Sequence, residues 1–300
     1  MHDKKCLICK SNQVTKILYK ENFDFKKIND KTFSARRIPD GTHYRFLECQ
    51  NCGLIFSSPI LSQKELEALY SRSSFNYVNE SRYLQKTYLN YFEKYISYKD
   101  LKETSILEIG CGNGFFLEGL EKLGAKNLYG VEPGKASVNK AKKSIKTNIR
   151  IAMFKKGFFP KRSFDVICCF HTLDHVADPD IFLKDVFSLL KRNGKVFFVV
   201  HNTRGLSVRL LGEKSPIFDI EHIYLFNPDT LRQLFKMNGF KNATVFTVKN
   251  IYQLNYWLKL FPLPAFFKKL VSEFLRISRI GNIPIGISAG NIGIVGTKTD

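Results

Sequence analysis

The sequence predicts an α/β protein, a doubly wound sheet with a small cysteine-bearing module ahead of it. Three observations carry this reading. "SILEIGCGNGFFL", Ser105 to Leu117, is an apolar run closed by Gly110, Gly112 and Gly114 and continued by "FFLEGLEKLGA", the pattern of a buried parallel strand turning into a helix. "SFDVICCF" and "GKVFFVV" repeat the buried-strand pattern downstream with a helical stretch between them. Cys6, Cys9, Cys49 and Cys52 form two C-x-x-C pairs near the start.

A chain of 300 residues holds one full-sized domain and a small appendage, and with 44% hydrophobic and 14% aromatic residues it can bury a core. "MHDKKC" does not resemble a signal peptide. The longest uncharged run, 280 to 297, is broken by Gly281, Pro284, Gly286, Gly290 and Gly293, so no membrane-crossing helix is expected and a cytoplasmic protein is. A net charge of +20 suits an anionic partner such as nucleic acid, a membrane surface or a phosphorylated substrate. The lysines are scattered without a dense block, and a compositional lean toward Lys, Asn, Ile and Phe accounts for the charge equally well.

Two C-x-x-C turns supply four soft ligands for a tetrahedral structural zinc, with Cys6, Cys9, Cys49 and Cys52 filling the coordination sphere. In the second knuckle, "RFLECQNCGLIFSSP", a strand leads in and Gly53 supplies the tight turn. The 39 residues between the knuckles include "FDFKKINDKTF", expected as a looped-out hairpin. The zinc-ribbon-like module is assigned 1–60 and a helical connector 61–100. Ser62 and Glu65 give the connector a capping box, and Tyr88, Phe92, Tyr95 and Ile96 form a stripe that packs on the main domain. The main domain is 101–300, with lid insertions at about 203–227 and 251–289.

Glycines between a strand and a helix mark the nucleotide-binding edge of such a sheet. The next strand, "NLYGVEP", ends in Glu132, 22 positions after Gly110, where a carboxylate can accept from both ribose hydroxyls. A dinucleotide fingerprint requires glycine at 115, but Phe115 stands there. Glu108, two residues before the first glycine, suits a ligand with an ammonium group and a sulfonium centre.

"ILEIGCGNGFF" followed by "LYGVEP" resembles motif I and its successor in class I S-adenosylmethionine-dependent methyltransferases, over residues 101 to 249. The resemblance implies a Rossmann-like sheet of seven strands, with Glu108, Gly110, Cys111, Gly112, Gly114, Glu132 and Pro133 around the cofactor. The family's next block follows in order: a strand from Phe164 to Phe170, a helix opened by Asp178-Pro179 and closed by Asn193-Gly194, and another strand. "ATVFTVK" and "NIGIVGTK" would be the last two strands. Many relatives hold the adenine amino group with an acid that "IAMFKKGFF" lacks, so apolar and backbone contacts near Met153 and Phe154 are expected instead.

Methyl transfer from a sulfonium is an in-line displacement with an activated electrophile, so the protein positions the acceptor and removes its proton. His171 and His175 sit just beyond the 164–170 strand, and His222 follows Glu221 before a helix capped by Asn227. Paired C-x-x-C knuckles before such a domain resemble the sugar C-methyltransferases and related polysaccharide-cluster enzymes. That resemblance gives acceptor-side roles to His175, Glu221 and His222, with His222 as base oriented by Glu221, and places Tyr77 in the segment covering the cofactor. Asp219 stands where that family has tyrosine.

The expected function is methyl transfer to a small molecule, a sugar or glycan precursor that is nucleotide-linked or lipid-linked. The alternatives are an RNA methyltransferase that uses the basic surface and the zinc module, and a non-catalytic zinc-dependent binding protein. In 256–279, Phe267, Leu270, Val271, Phe274 and Leu275 share a face opposite Lys268, Lys269 and Arg276, a stripe that covers a core or rests on the inner membrane surface.

Overall fold

The computed structural model describes residues 2–11, 13–24, 41–72, 78–96, 100–260, 265–278 and 280–299. The front segment contributes β1 (Thr15–Tyr19), β2 (Phe46–Cys49) and β3 (Ile55–Ser57), and the connector contributes α1 (Gln63–Arg72) and α2 (Val78–Tyr95). The nucleotide-binding half follows as β4 (Ser105–Ile109), α3 (Phe115–Lys122), β5 (Asn127–Glu132), the short α4 (Lys135–Val138) and α5 (Lys143–Lys146), and β6 (Ile149–Ile151). The second half comprises β7 (Phe164–Phe170), α6 (Pro179–Leu189), β8 (Leu190–His201), α7 (Leu206–Leu211), β9 (Tyr224–Leu225) and α8 (Pro228–Met237). It ends with β10 (Lys241–Gln253), α9 (Leu254–Leu260), α10 (Ala265–Ile277) and β11 (Pro284–Thr297).

The main sheet has seven strands in the order β10-β11-β8-β7-β4-β5-β6. β4 to β8 run parallel, and β11 is antiparallel to both of its neighbours. The expected doubly wound sheet is therefore present. Its central strands are apolar on both faces because both are covered. Val196, Phe198 and Val200 of β8 enter a core shared with α6, α8 and the front module, while Phe197 and Val199 enter one shared with α2 and α3. The connector's aromatic stripe packs as expected, with Phe92 edge-on to Phe116 at 5.7 Å and Tyr88 stacked on Phe170 at 4.3 Å.

The helix starts follow their caps. Ser62 and Glu65 exchange hydrogen bonds ahead of α1, Asp178 precedes Pro179 at α6, and Asn227 and Thr230 form a capping box at α8. Two ends differ from the sequence expectation. α6 stops at Leu189 rather than at Asn193-Gly194, because buried Leu190 already pairs with Phe164 in the sheet. The second insertion narrows to 254–283, since β10 runs on to Gln253 and β11 begins at Pro284. Glycine in β11 leaves room rather than breaking the strand: a Cβ on Gly293 would stand 2.4 Å from the Phe246 ring, which stacks on Tyr95 at 3.9 Å.

The front segment forms a four-stranded sheet, β1-β2-β3-β9, whose last strand comes from the loop before α8. Tyr44, Leu54 and Phe56 share a core with Leu107 and Phe198 of the main sheet. On α10, Leu275 is buried, whereas Phe266, Leu270, Phe274 and Ile277 are 60–73% exposed. Tyr77, most of the looped-out stretch (25–40), and the side chains of Phe267, Lys268 and Arg276 lie outside the described residues. Among the described residues no helix is long and apolar enough to cross a membrane.

Candidate active site

β4, β5 and β7 end together where the winding of the sheet reverses, the position at which open α/β sheets bind ligands. The glycine turn is held against β5 there: the Gly110 and Cys111 N–H groups donate to the Val131 carbonyl at 2.8 and 3.2 Å. Gly110 has φ +77°, and a Cβ on it would fall 2.1 Å from Thr172 Oγ1, so only glycine fits. Glu132 closes the turn, with Oε2 accepting from the Gly112 N–H at 2.9 Å and Oε1 from the Gly134 N–H at 2.8 Å. Each carboxylate oxygen retains a lone pair for a further donor. Burial pushes the Glu132 carboxyl up, against the pull of these two N–H groups.

Glu108 is buried, and its Oε2 has no hydrogen-bond partner among the described residues. Burial, reinforced by the charge of Glu132, raises its carboxyl well above the ordinary range. That orphaned oxygen fits an incoming cationic donor such as an ammonium group.

A cavity of about 350 Å³ opens over the turn, within the size range of small-molecule sites. Glu108, Gly110, Cys111, Gly112, Glu132, Pro133, Met153 and Phe154 line it. Gly114 does not. It is the N-cap of α3 at φ +70°, and its Cβ direction meets Ile145 at 2.7 Å, so it serves the turn.

His171, His175, Tyr70 and Glu221 also line the cavity. His222 does not border it and lies behind, with its ring centroid 4.8 Å from that of His175. The partner of its Nδ1 is the Ile217 carbonyl, at 2.6 Å, which fixes the ring where Glu221 was expected to do so. Burial, with neighbouring His201 and His175, lowers the His222 imidazole well below its usual range; burial also lowers His175, opposed by the charge of Asp174.

Sequence reasoning missed three members of this wall. Asp174 is fully buried, and its Oδ2 accepts from His201 Nδ1 at 2.5 Å; the Tyr70 hydroxyl meets His175 Nδ1 at 2.9 Å. Burial alone would raise the Asp174 carboxyl, but His201, then His175 and His222, hold it well below the ordinary range. The signal available in sequence was "FHTLDHV", which sets Asp174 beside His175 directly after β7. His201 closes the adjacent parallel strand and so ends at the same edge.

The four front cysteines also converge. Cys6 and Cys52 sulfurs lie 3.5 Å apart and those of Cys9 and Cys49 3.8 Å apart, and all four lie within 4.8 Å of one another. Tetrahedral zinc with Zn–S of about 2.3 Å sets sulfurs about 3.8 Å apart, so the thiols fit such an ion. The knuckles are equivalent turns: the Gly53 N–H donates to the Cys49 carbonyl and the Lys10 N–H to that of Cys6, each at 2.8 Å, both residues at positive φ. None of these cysteines lines the cavity.

A seven-stranded doubly wound sheet with an acidic, glycine-turned cradle at its switch point is the arrangement of a methyltransferase domain. The chain belongs to the methyltransferase domain family, whose model matches residues 79–245. It is 34% identical over 126 residues to a ubiquinone biosynthesis O-methyltransferase of Pelagibacter ubique, covering 40% of this chain and 52% of that protein. A tRNA U34 carboxymethyltransferase of Campylobacter fetus is 28% identical over 158 residues, 50% of this chain and 56% of that one. The chain spans about half the length of the curated relatives it matches. A solved S-adenosylmethionine-dependent methyltransferase of Thermotoga maritima superposes with TM-score 0.50 at 20% identity, covering 74% of this chain and 92% of that one, which shows the shared fold.

Proposed function

We propose that this methyltransferase acts on a hydroxyl of a small-molecule acceptor. The observation that carries the reading is that Glu221 and His175 line the same cavity as the acidic glycine turn. S-adenosylmethionine supplies the sulfonium-activated methyl group. Glu132 accepts from the ribose hydroxyls, Glu108 receives the ammonium group, and Met153 and Phe154 pack against the adenine. Glu221 accepts the acceptor's proton as the methyl–oxygen bond forms. Glu221 rather than His222 takes the role of base because, of the two, Glu221 borders the cavity.

A hydroxyl acceptor agrees with the O-methylation in the Pelagibacter relative's name. The sugar or glycan precursor expected from the cysteine module gains no such support, and Asp219 already departs from that family's pattern. The non-catalytic alternative falls away with the family assignment. The test is release of S-adenosylhomocysteine with a panel of hydroxyl-bearing aromatics, sugar nucleotides and RNA. Turnover confined to the small molecules, aromatic or sugar nucleotide, upholds the reading, and turnover confined to RNA overturns it. The +20 charge and the tRNA-modifying relative favour RNA as the second reading, which salt-sensitive RNA binding would mark. Glu221→Gln is expected to lower kcat by about 10²–10⁴-fold with donor affinity unchanged, read by steady-state kinetics and calorimetry.

Glu108 ties donor binding to pH. Its carboxyl is raised in the free protein, and an ammonium beside it favours the carboxylate, so the bound state holds fewer protons. Affinity for the donor is expected to rise with pH, by up to about tenfold per unit, until the free carboxyl ionises. Calorimetry in buffers of different ionisation enthalpy would show proton release on binding by the wild type and none by Glu108→Gln.

The four thiolates, in our reading, hold a structural zinc whose filled coordination leaves no position for chemistry. The exposed apolar face of α10 on a basic chain supports contact of the 256–279 segment with an anionic bilayer. Co-sedimentation with vesicles containing anionic lipid is expected for the wild type and is expected to be lost in the double variant Leu270→Asp, Phe274→Asp.

A further inference from the structure

We propose that Asp174, His175 and His222 form a binding site for a divalent ion of the borderline class, such as zinc, iron(II) or cobalt(II), set into the acceptor wall. One ligand atom from each of the three residues lies within 4.8 Å of the others. In each residue one of the two candidate ligand atoms is already engaged. His175 Nδ1 meets the Tyr70 hydroxyl at 2.9 Å, His222 Nδ1 donates to the Ile217 carbonyl at 2.6 Å, and Asp174 Oδ2 accepts from His201 Nδ1 at 2.5 Å. Metal-binding imidazoles and carboxylates are characteristically oriented in this way, with the outer atom held by a hydroxyl, carbonyl or charged partner. His222 Nδ1 carries the proton it gives the carbonyl, which leaves Nε2 as the ring's lone-pair atom; in His175 the same follows when Nδ1 donates to the Tyr70 oxygen.

The third ligand is Asp174 Oδ1. The residue is fully buried, and Oδ1 makes no hydrogen bond among the described residues; His175 Nε2 stands 3.9 Å away, beyond hydrogen-bond reach. A buried carboxylate oxygen without a donor is costly, and a cation is what such an oxygen accommodates. Charging the imidazoles instead would crowd like charges, because the His222 ring lies 4.5 Å from that of His201 and 4.8 Å from that of His175. The other grouping at this wall, His171, Asp174 and His201, spends the Oδ2 oxygen on the existing bond to His201. Metal–ligand distances of about 2.0–2.2 Å require the three atoms to draw together by about an ångström, which small rotations of the imidazoles supply.

Two imidazoles and one carboxylate leave a coordination position open, as in catalytic rather than structural sites. His175 borders the cavity, so the open position is reached from the acceptor side. Resting on the hydroxyl-acceptor reading above, an acceptor oxygen bound there loses its proton to Glu221 more readily. The site itself does not depend on that reading.

The test is titration of the full chain with cobalt(II) chloride alone, followed by absorption. Cobalt held by thiolates displays sulfur-to-metal charge transfer in the near ultraviolet, whereas cobalt held by imidazole and carboxylate displays only weak ligand-field bands. The expected result is a set of ligand-field bands beyond those of the thiolate site. His222→Gln and Asp174→Asn are expected to remove them while the thiolate spectrum stays. Tyr70→Phe is expected to weaken this second uptake by about 10–100-fold. Should Asp174→Asn fail to fold, His175→Gln on the cavity wall serves the same purpose, with the thiolate spectrum reporting an intact fold. A cobalt spectrum of thiolate character alone, or extra bands that survive these substitutions, overturns the proposal.

Discussion

Glu132→Ala is expected to weaken S-adenosylmethionine binding by about 100–10,000-fold, taking about 1.5–3 kcal/mol for each of two hydroxyl hydrogen bonds to a charged acceptor. The same carboxylate also bridges the Gly112 and Gly134 N–H groups, so its removal frees the glycine turn and the start of α4 together. Glu132→Gln separates the two roles. One amide oxygen still accepts, but the NH₂ group faces a backbone N–H, so an intermediate loss is expected. Calorimetry gives both affinities directly, and wild-type affinity in Glu132→Ala would remove the cradle assigned here.

The second large effect is expected from the paired substitution Cys49→Ser, Cys52→Ser. Structural zinc contributes about 10–16 kcal/mol to small modules, comparable with the whole net stability of a domain. Losing it should melt the front sheet and lower Tm. The consequence reaches the acceptor wall because the module holds it: the Ser57 N–H donates to the Ile223 carbonyl at 2.8 Å, Ser57 Oγ to the His222 carbonyl at 2.8 Å, and β9 pairs with β3. The proposed donor cradle comes from residues 108–154 on the main sheet, where backbone bonds from the glycine turn to Val131 and Glu132 hold it directly. Turnover should therefore fall far more than donor affinity, with differential scanning calorimetry and titration of the same sample as the check. Equal losses of both would mean that the module supports the whole sheet rather than the acceptor side.

Glu108, Gly110, Gly112 and Glu132 were legible because they belong to one strand-turn-helix-strand unit. Within it, the spacing of residues along the chain sets their spacing in space, and Val131 and Glu132 pin the turn. The cysteine knuckles were legible for the same reason, since each thiol pair is a local turn. β11 was not read in full: its glycines and Pro284 look like breakers until β10 and β8 supply partners and Phe246 claims the space above Gly293. The acceptor wall was only partly visible. Asp174 and His175 follow β7, His201 ends β8, Tyr70 belongs to α1, and Glu221 and His222 precede a strand that completes the front module's sheet. The amino-acid sequence by itself determined the parallel strands, the glycine turn with its two acids and the thiol pairs, all built from short-range patterns. Only the tertiary structure decided which histidines meet Asp174, because strand order and the docking of the front sheet bring together segments that no periodicity along the chain relates.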